Sequence, residues 1–271
     1  MSEIVCGACG RHCHLEDGQL GFCRARKNEG GRNVCANYGR ITSMAMDPIE
    51  KKPLRRFYPG SSILSVGSYG CSFACPFCQN YMISMRGSDS VRWAYVSPDE
   101  LAWRVRSIPD NLGIAFTYNE PLISFEYIID TAKLIRPDYK VVLVSNGGVT
   151  SAVLDQVLPY VDAINIDLKG DREYYRELGG SYDLVKAAIA ACVPRIHTEI
   201  TTLVIPGKND DPAWIDAESQ WLSKLSAETV LHLSRYFPRY HYEIEATPVE
   251  TILELQKVAQ KHLRYVYTGN M

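Results

Sequence analysis

From residue 63 onward, short apolar runs alternate with longer amphipathic stretches. The runs at 63–67, 113–117, 140–145, 162–167, 197–205 and 229–234 are too short for helices and rich in branched aliphatic side chains, which marks buried strands. Helical patterns lie between them, near 122–135, 151–158, 182–191, 212–225 and 248–262. Another opens at Ser97-Pro98-Asp99-Glu100, with a serine N-cap, proline at the first helical position and acids in the first turn. Strand followed by helix, repeated with apolar strands, implies a parallel sheet with right-handed crossovers. Six such units predict an α/β fold, a partial TIM-like (β/α)6 barrel over residues 63–271, with a last strand at 264–268. Functional residues are then expected where strands end and loops begin.

The pattern divides the chain in three. Residues 1–35 form a Cys-rich knuckle, 36–62 a connector, and 63–271 the barrel. The connector holds Pro48, Pro53 and Pro59 among charged and aromatic residues, which argues against a helix or central strand. It reads as a wall of the active site or as an extended linker. In the knuckle, Cys6, Cys9, Cys13 and Cys23 are separated by glycines that let the backbone turn. Four thiolates make a closed shell that suits zinc or an auxiliary Fe–S cluster. Arg24, Arg26, Lys27 and Arg32 read as a solvated basic loop.

Composition narrows this only mildly. A hydrophobic share of 46% supports a sizeable core, and a formal net charge of −2 offers no global field for nucleic acid. There is no apolar run of eighteen or more residues and no charged-then-apolar leader, so the expectation is a cytoplasmic protein without a membrane anchor. Nine cysteines, seven of them in two groups, indicate metal chemistry in a reducing compartment.

The second group is the triplet Cys71, Cys75 and Cys78, at C-x-x-x-C-x-x-C spacing and directly after the first strand. Three thiolates on one loop can hold three corners of a [4Fe-4S] cluster and leave one iron open. A zinc site with a distant ligand, or a ferredoxin-like loop with a remote fourth cysteine, are the other readings of the spacing. The triplet resembles the cluster motif of radical S-adenosylmethionine (SAM) enzymes, whose open iron binds the methionine end of SAM. The Cys-rich start, Asp47-Pro48-Ile49-Glu50-Lys51-Lys52-Pro53-Leu54, Phe57-Tyr58-Pro59-Gly60-Ser61 and the ending Cys78-Gln79-Asn80 narrow the likeness. Together they resemble the radical SAM enzyme of the AmmeMemoRadiSam system, a branch near the pyruvate formate-lyase activating enzymes.

That resemblance implies a [4Fe-4S] cluster and SAM as cofactors, and further contacts on successive strand ends. Tyr118-Asn119-Glu120 stands where relatives carry a glycine pair before the glutamate that meets the SAM amino group. Ser145 and Asn146 correspond to a ribose-contacting loop, and Asp167 and Lys169 to an Asp-Leu-Lys motif. Ile205 and Gly207, with Phe77 from the cluster loop, would line the adenine. Glu199, a charge among apolar neighbours, needs a partner and is grouped with the cofactor contacts. Arg235, Tyr236, Phe237 and Arg239 are candidates for substrate contact. The implied activity is reductive cleavage of SAM and hydrogen abstraction from a protein, peptide or small molecule. A flavodoxin or ferredoxin would supply the electron, and Memo-like and AMMECR-like proteins are the implied partners. Two alternatives accompany it: an activating enzyme for a glycyl radical enzyme, and a non-catalytic Fe–S or zinc module that binds RNA or protein.

Overall fold

A computed structural model describes residues 3–271, so residues 1 and 2 of the expected knuckle lie outside the described residues. The core strands are β1 (Ser62–Gly67), β2 (Asn111–Phe116), β3 (Lys140–Ser145), β4 (Ala163–Asp167), β5 (His197–Val204), β6 (Val230–Arg235) and β7 (Tyr265–Gly269). They lie side by side in chain order and run parallel. An edge strand, Ser43–Pro48, runs antiparallel to β1. No pairing joins that edge to β7, so the sheet stays open as a partial TIM-like barrel.

The crossovers carry α1 (Pro98–Ser107), α2 (Phe125–Ile135), α3 (Ser151–Val157), α4 (Arg172–Glu177), α5 (Tyr182–Cys192), α6 (Pro212–Leu225) and α7 (Val249–Ala259). The Ser97 side chain caps α1 as its sequence indicates, accepting from Glu100 N. Helix α4 was not expected. Its six residues, Arg172 to Glu177, carry no apolar period, and Asp171 starts it by accepting from Tyr174 N.

Alternation along the strands sorts side chains to two faces. Leu64, Val66, Ile114, Phe116, Leu143 and Ile164 pack outward in one core with Leu101, Val105 and Ile128 of the helices. Burying each such side chain contributes roughly 1.5–3 kcal/mol. Ile63, Ala115, Val142 and Ala163 point inward, where they meet Ile49, Leu54 and Phe57 of the connector. Residues 36–62 follow the second of the two readings, an extended segment packed across the domain. They supply the sheet edge, where a proline at the strand end removes no interior ladder bond, and then plug the floor of the barrel.

The N-terminal segment is bound to this core. Its basic run is not simply a solvated loop: Arg26 is only 3% exposed and its guanidinium donates to both oxygens of Glu126 at 2.7 Å. A cation placed under α2 needs such a partner. Among the described residues, no helix is long and apolar enough to cross a membrane.

Candidate active site

The loop that leaves β1 is held in place from two sides. Gly70 has φ +87°, and a Cβ there would lie 2.1 Å from the Cys23 carbonyl oxygen, so only glycine admits the N-terminal segment. The buried Phe73 ring slots against Gly148, where a Cβ would come within 2.4 Å of it. Ala74 N donates to Leu178 O, and Arg11 Nε to Ser72 O at 2.6 Å. Cys71, Cys75 and Cys78, the products of this anchoring, all border one cavity of about 280 Å³.

Strand ends furnish the facing wall. Glu120 is 4% exposed; its carboxylate accepts from Leu122 N at 3.0 Å, Ser145 Oγ at 2.9 Å and Asn146 N at 2.7 Å. Burial pushes this carboxyl up to about 7 despite those three donors. An arriving ammonium would restore the charge that burial disfavours. Asn146 joins the two halves, since its Nδ2 also lies 3.4 Å from Cys71 Sγ. Lys169 Nζ donates to Asp167 Oδ2 at 2.8 Å and lies 5.8 Å from the Phe77 ring centroid. Burial alone would lower the Lys169 pKa, but Asp167 and Cys75 overcome it and keep the amine cationic. Burial pushes the Cys75 thiol up to about 12, against the pull of Lys169.

Eleven of the expected cofactor and cluster residues thus border one cavity: Cys71, Cys75, Phe77, Cys78, Tyr118, Asn119, Glu120, Ser145, Asn146, Asp167 and Lys169. Three are placed elsewhere. Glu199 lies one layer below, fully buried, accepting from Arg55 N, Arg56 N, His197 Nε2 and His232 Nε2 at 2.6 to 2.9 Å. Its partner is the floor, because it sits at the third position of β5 rather than at the strand's C-terminal end. Ile205 is buried with its amide on Asn209 Oδ1, and Gly207 is exposed in a turn capped by Asp210. Thr201, Leu203 and Ser234 line the cavity in their place. The period-two alternation through Glu199 could have found Thr201 and Leu203.

The donor set suits a three-legged cluster. The lining holds three thiols on one loop and neither a fourth cysteine nor a histidine, with a buried carboxylate opposite. A second hollow of about 570 Å³ adjoins through Phe77, Gln79 and Leu203, and Arg235, Tyr236, Phe237 and Arg239 border it.

The four N-terminal cysteines form a second group against the cluster loop. Pairing of Ile4–Val5 with His14–Leu15 brings Cys6 beside Cys13, whose carbonyl accepts from Cys6 N at 2.8 Å. Cys6, Cys9 and Cys23 are buried and none of the four is in a disulfide. Burial pushes Cys9 up to about 11, and Cys23, Cys6 and Cys13 add to it from within each other's field. No three His, Cys, Asp or Glu among the described residues converge as a single-ion site.

Comparison with known proteins agrees with this geometry. The family model described as the Radical SAM superfamily matches residues 65–218. Protein MJ0808 of Methanocaldococcus jannaschii, itself uncharacterized, is 34% identical over 276 residues, covering 100% of this chain and 82% of that one. A radical SAM methyltransferase from Sphaerobacter thermophilus is similar in structure, with TM-score 0.61 and 16% identity over 78% of this chain and 67% of that one. A domain of pyruvate-formate lyase-activating enzyme from Bacteroides vulgatus gives 0.51 and 18%, over 58% of this chain and 99% of that one. SuiB of Streptococcus suis bound to S-adenosylmethionine gives 0.58 and 14%, over 77% of this chain and 52% of that one. At such identities the structural likenesses speak to the fold.

Proposed function

This chain belongs to the radical SAM superfamily, and from that premise we propose that it cleaves SAM reductively and abstracts a hydrogen atom from a protein, peptide or small-molecule substrate. Members of the superfamily are enzymes, and membership implies a [4Fe-4S] cluster and SAM. One observation carries the reading: three thiols from a single loop face a buried carboxylate across a cavity whose lining offers no fourth thiol. Cys71, Cys75 and Cys78 would hold the cluster. Held there, such a cluster would supply the one electron that reductive cleavage of SAM to methionine and a 5′-deoxyadenosyl radical requires.

The chain's own residues bind and orient. Glu120, fixed by Ser145 and Asn146, presents an acceptor for the SAM ammonium. Asp167 and Lys169 offer an acceptor and a cation for hydroxyl and carboxylate groups. Phe77, Val144 and Leu203 supply apolar wall that excludes water from the reacting carbon. Within the superfamily, the connector motif supports placement in the AmmeMemoRadiSam system near the activating enzymes, with Memo-like and AMMECR-like partners and a flavodoxin or ferredoxin as donor. We propose zinc or an auxiliary cluster for the four-thiol loop, whose sulfurs a single ion would first have to draw together, and the cytoplasm for the whole. The sequence resemblance to the activating enzymes leaves, as a second reading, a glycyl radical enzyme as substrate.

Anaerobic reconstitution with iron and sulfide, then SAM and dithionite, tests the proposal. Wild-type protein should release 5′-deoxyadenosine, detected by mass spectrometry, and Cys75→Ala should release none. Iron-loaded wild-type protein that leaves SAM intact would refute it.

A further inference from the structure

The cavity loop after β2 contains a strained backbone. Tyr118 has φ +70°, and across it Asn119 N donates to Thr117 O at 2.9 Å. A bond from residue i+2 back to i around a positive φ is the disfavoured hand of the γ-turn. Such a conformation in a non-glycine residue persists only when its surroundings over-determine it.

The surroundings here come from the connector, from the edge strand and the segment after it. Tyr118 Oη donates to Asp47 Oδ2 at 2.8 Å, across 71 positions of sequence. The same Asp47 oxygen accepts from Lys52 Nζ at 2.8 Å, and that side chain is only 3% exposed. Lys52 Nζ also stands 5.0 Å from the centre of the Tyr118 ring. Burial favours a neutral Asp47, yet the bonds from Lys52 and Tyr118 hold its carboxyl down at about 2, so the acceptor stays ionised at neutral pH. Gly67 clears the way, since a Cβ there would lie 2.8 Å from Tyr118 Cδ2.

What the turn achieves is visible in the next two residues. Asn119 is aimed back at the cluster loop, where its Oδ1 accepts from Ser68 N at 3.0 Å and its Nδ2 donates to Gly70 O at 3.1 Å. Glu120 then reaches the end of β3. We propose that Asp47 and Lys52 are positioning residues for the cofactor loop: Asp47 accepts from Tyr118 Oη, Lys52 fixes Asp47, and together they hold the γ-turn that aims Asn119 and Glu120. Tyrosine thereby does with a tether what glycine does by lacking a Cβ. The inference rests on the reading that Glu120 receives SAM.

The test uses reconstituted full-length protein without reductant and measures SAM affinity by equilibrium dialysis, iron per chain and thermal midpoint. Tyr118→Phe, which removes only the tether, should bind SAM about tenfold more weakly at unchanged iron content. Tyr118→Gly deletes far more contact yet should bind SAM more tightly than Tyr118→Phe, because glycine adopts the turn unaided. Asp47→Asn should weaken binding in the Tyr118 protein and have no further effect beside Tyr118→Gly. A purely structural role would make glycine the worst variant in both midpoint and affinity, and that ranking overturns the inference. So does Tyr118→Phe with wild-type affinity, or with lost iron. Iron-loaded wild type that binds no SAM overturns the functional reading and the tether together, whereas a binding wild type matched by Tyr118→Phe overturns the tether alone.

Discussion

Glu199→Gln separates a floor residue from a cofactor ligand. The Glu199 side chain is 0% exposed and takes four hydrogen bonds: Arg55 N at 2.9 Å, Arg56 N and His197 Nε2 at 2.8 Å, and His232 Nε2 at 2.6 Å. Burial alone would raise its pKa, but the bonds from His197, His232 and the Arg55 amide bring it down from 4.5 to about 2. At about 1.36 kcal/mol per unit, that difference is worth ~3 kcal/mol of folding stability. Because the folded value is depressed, the contribution is present above pH 4.5 and is lost as pH falls toward 2. Glutamine keeps the shape but exchanges one accepting oxygen for a donor, so two of the four donors lose their partner. Urea unfolding of the metal-free protein should show Glu199→Gln less stable by ~3 kcal/mol at neutral pH, with the gap closing as the medium is acidified below about pH 5. SAM affinity of the folded variant should be unchanged, since Thr201 and not Glu199 borders the cavity. A gap that is absent at neutral pH, or that stays constant through the acid range, refutes this account. Weakened SAM binding without a stability loss would reinstate Glu199 as a ligand.

Three further outcomes are expected. Gly70→Ala drives a Cβ to 2.1 Å from the Cys23 carbonyl oxygen, so iron retained by the cluster loop and the thermal midpoint should both fall; unchanged iron per chain counts against the packing described. Glu120→Ala should weaken SAM binding by ~10- to 100-fold, the range for losing a hydrogen bond to a charged group, while iron content holds; lost iron at unchanged affinity would reverse the assignment. Cys9→Ala should lower the metal bound per chain at the N-terminal group. Elemental analysis tells zinc from iron, and an unchanged total metal content would mean that these thiols hold nothing.

The strands were legible because each is a short apolar run bounded by turn residues; the strand-end rule gave the region of the cavity, and the family resemblance gave its individual residues. Helix α4 escaped because capping by Asp171, not amphipathic periodicity, starts it. Glu199 was placed too high because a strand's inward residues look alike in sequence, and only register tells floor from mouth. The connector resisted for a different reason. Its prolines correctly forbid a central strand, but nothing local says that Ile49, Leu54 and Phe57 will be swallowed by strands that come later in the chain. Tyr118 shows in sequence only as a replacement for one of a glycine pair, since its tether to Asp47 is a contact between distant segments that no motif encodes.

The floor plug also bears on how the molecule comes into being. The Arg55 amide meets Glu199 across 144 positions of sequence. During synthesis the stopper is made first; its apolar side chains wait for β1 to β4 to cover them, and its backbone waits longer still, for Glu199 of β5. Loops of that span close slowly and leave early intermediates sticky. Recovery of this protein from a cell will therefore depend on how long Ile49, Leu54 and Phe57 are shielded before the barrel arrives to receive them.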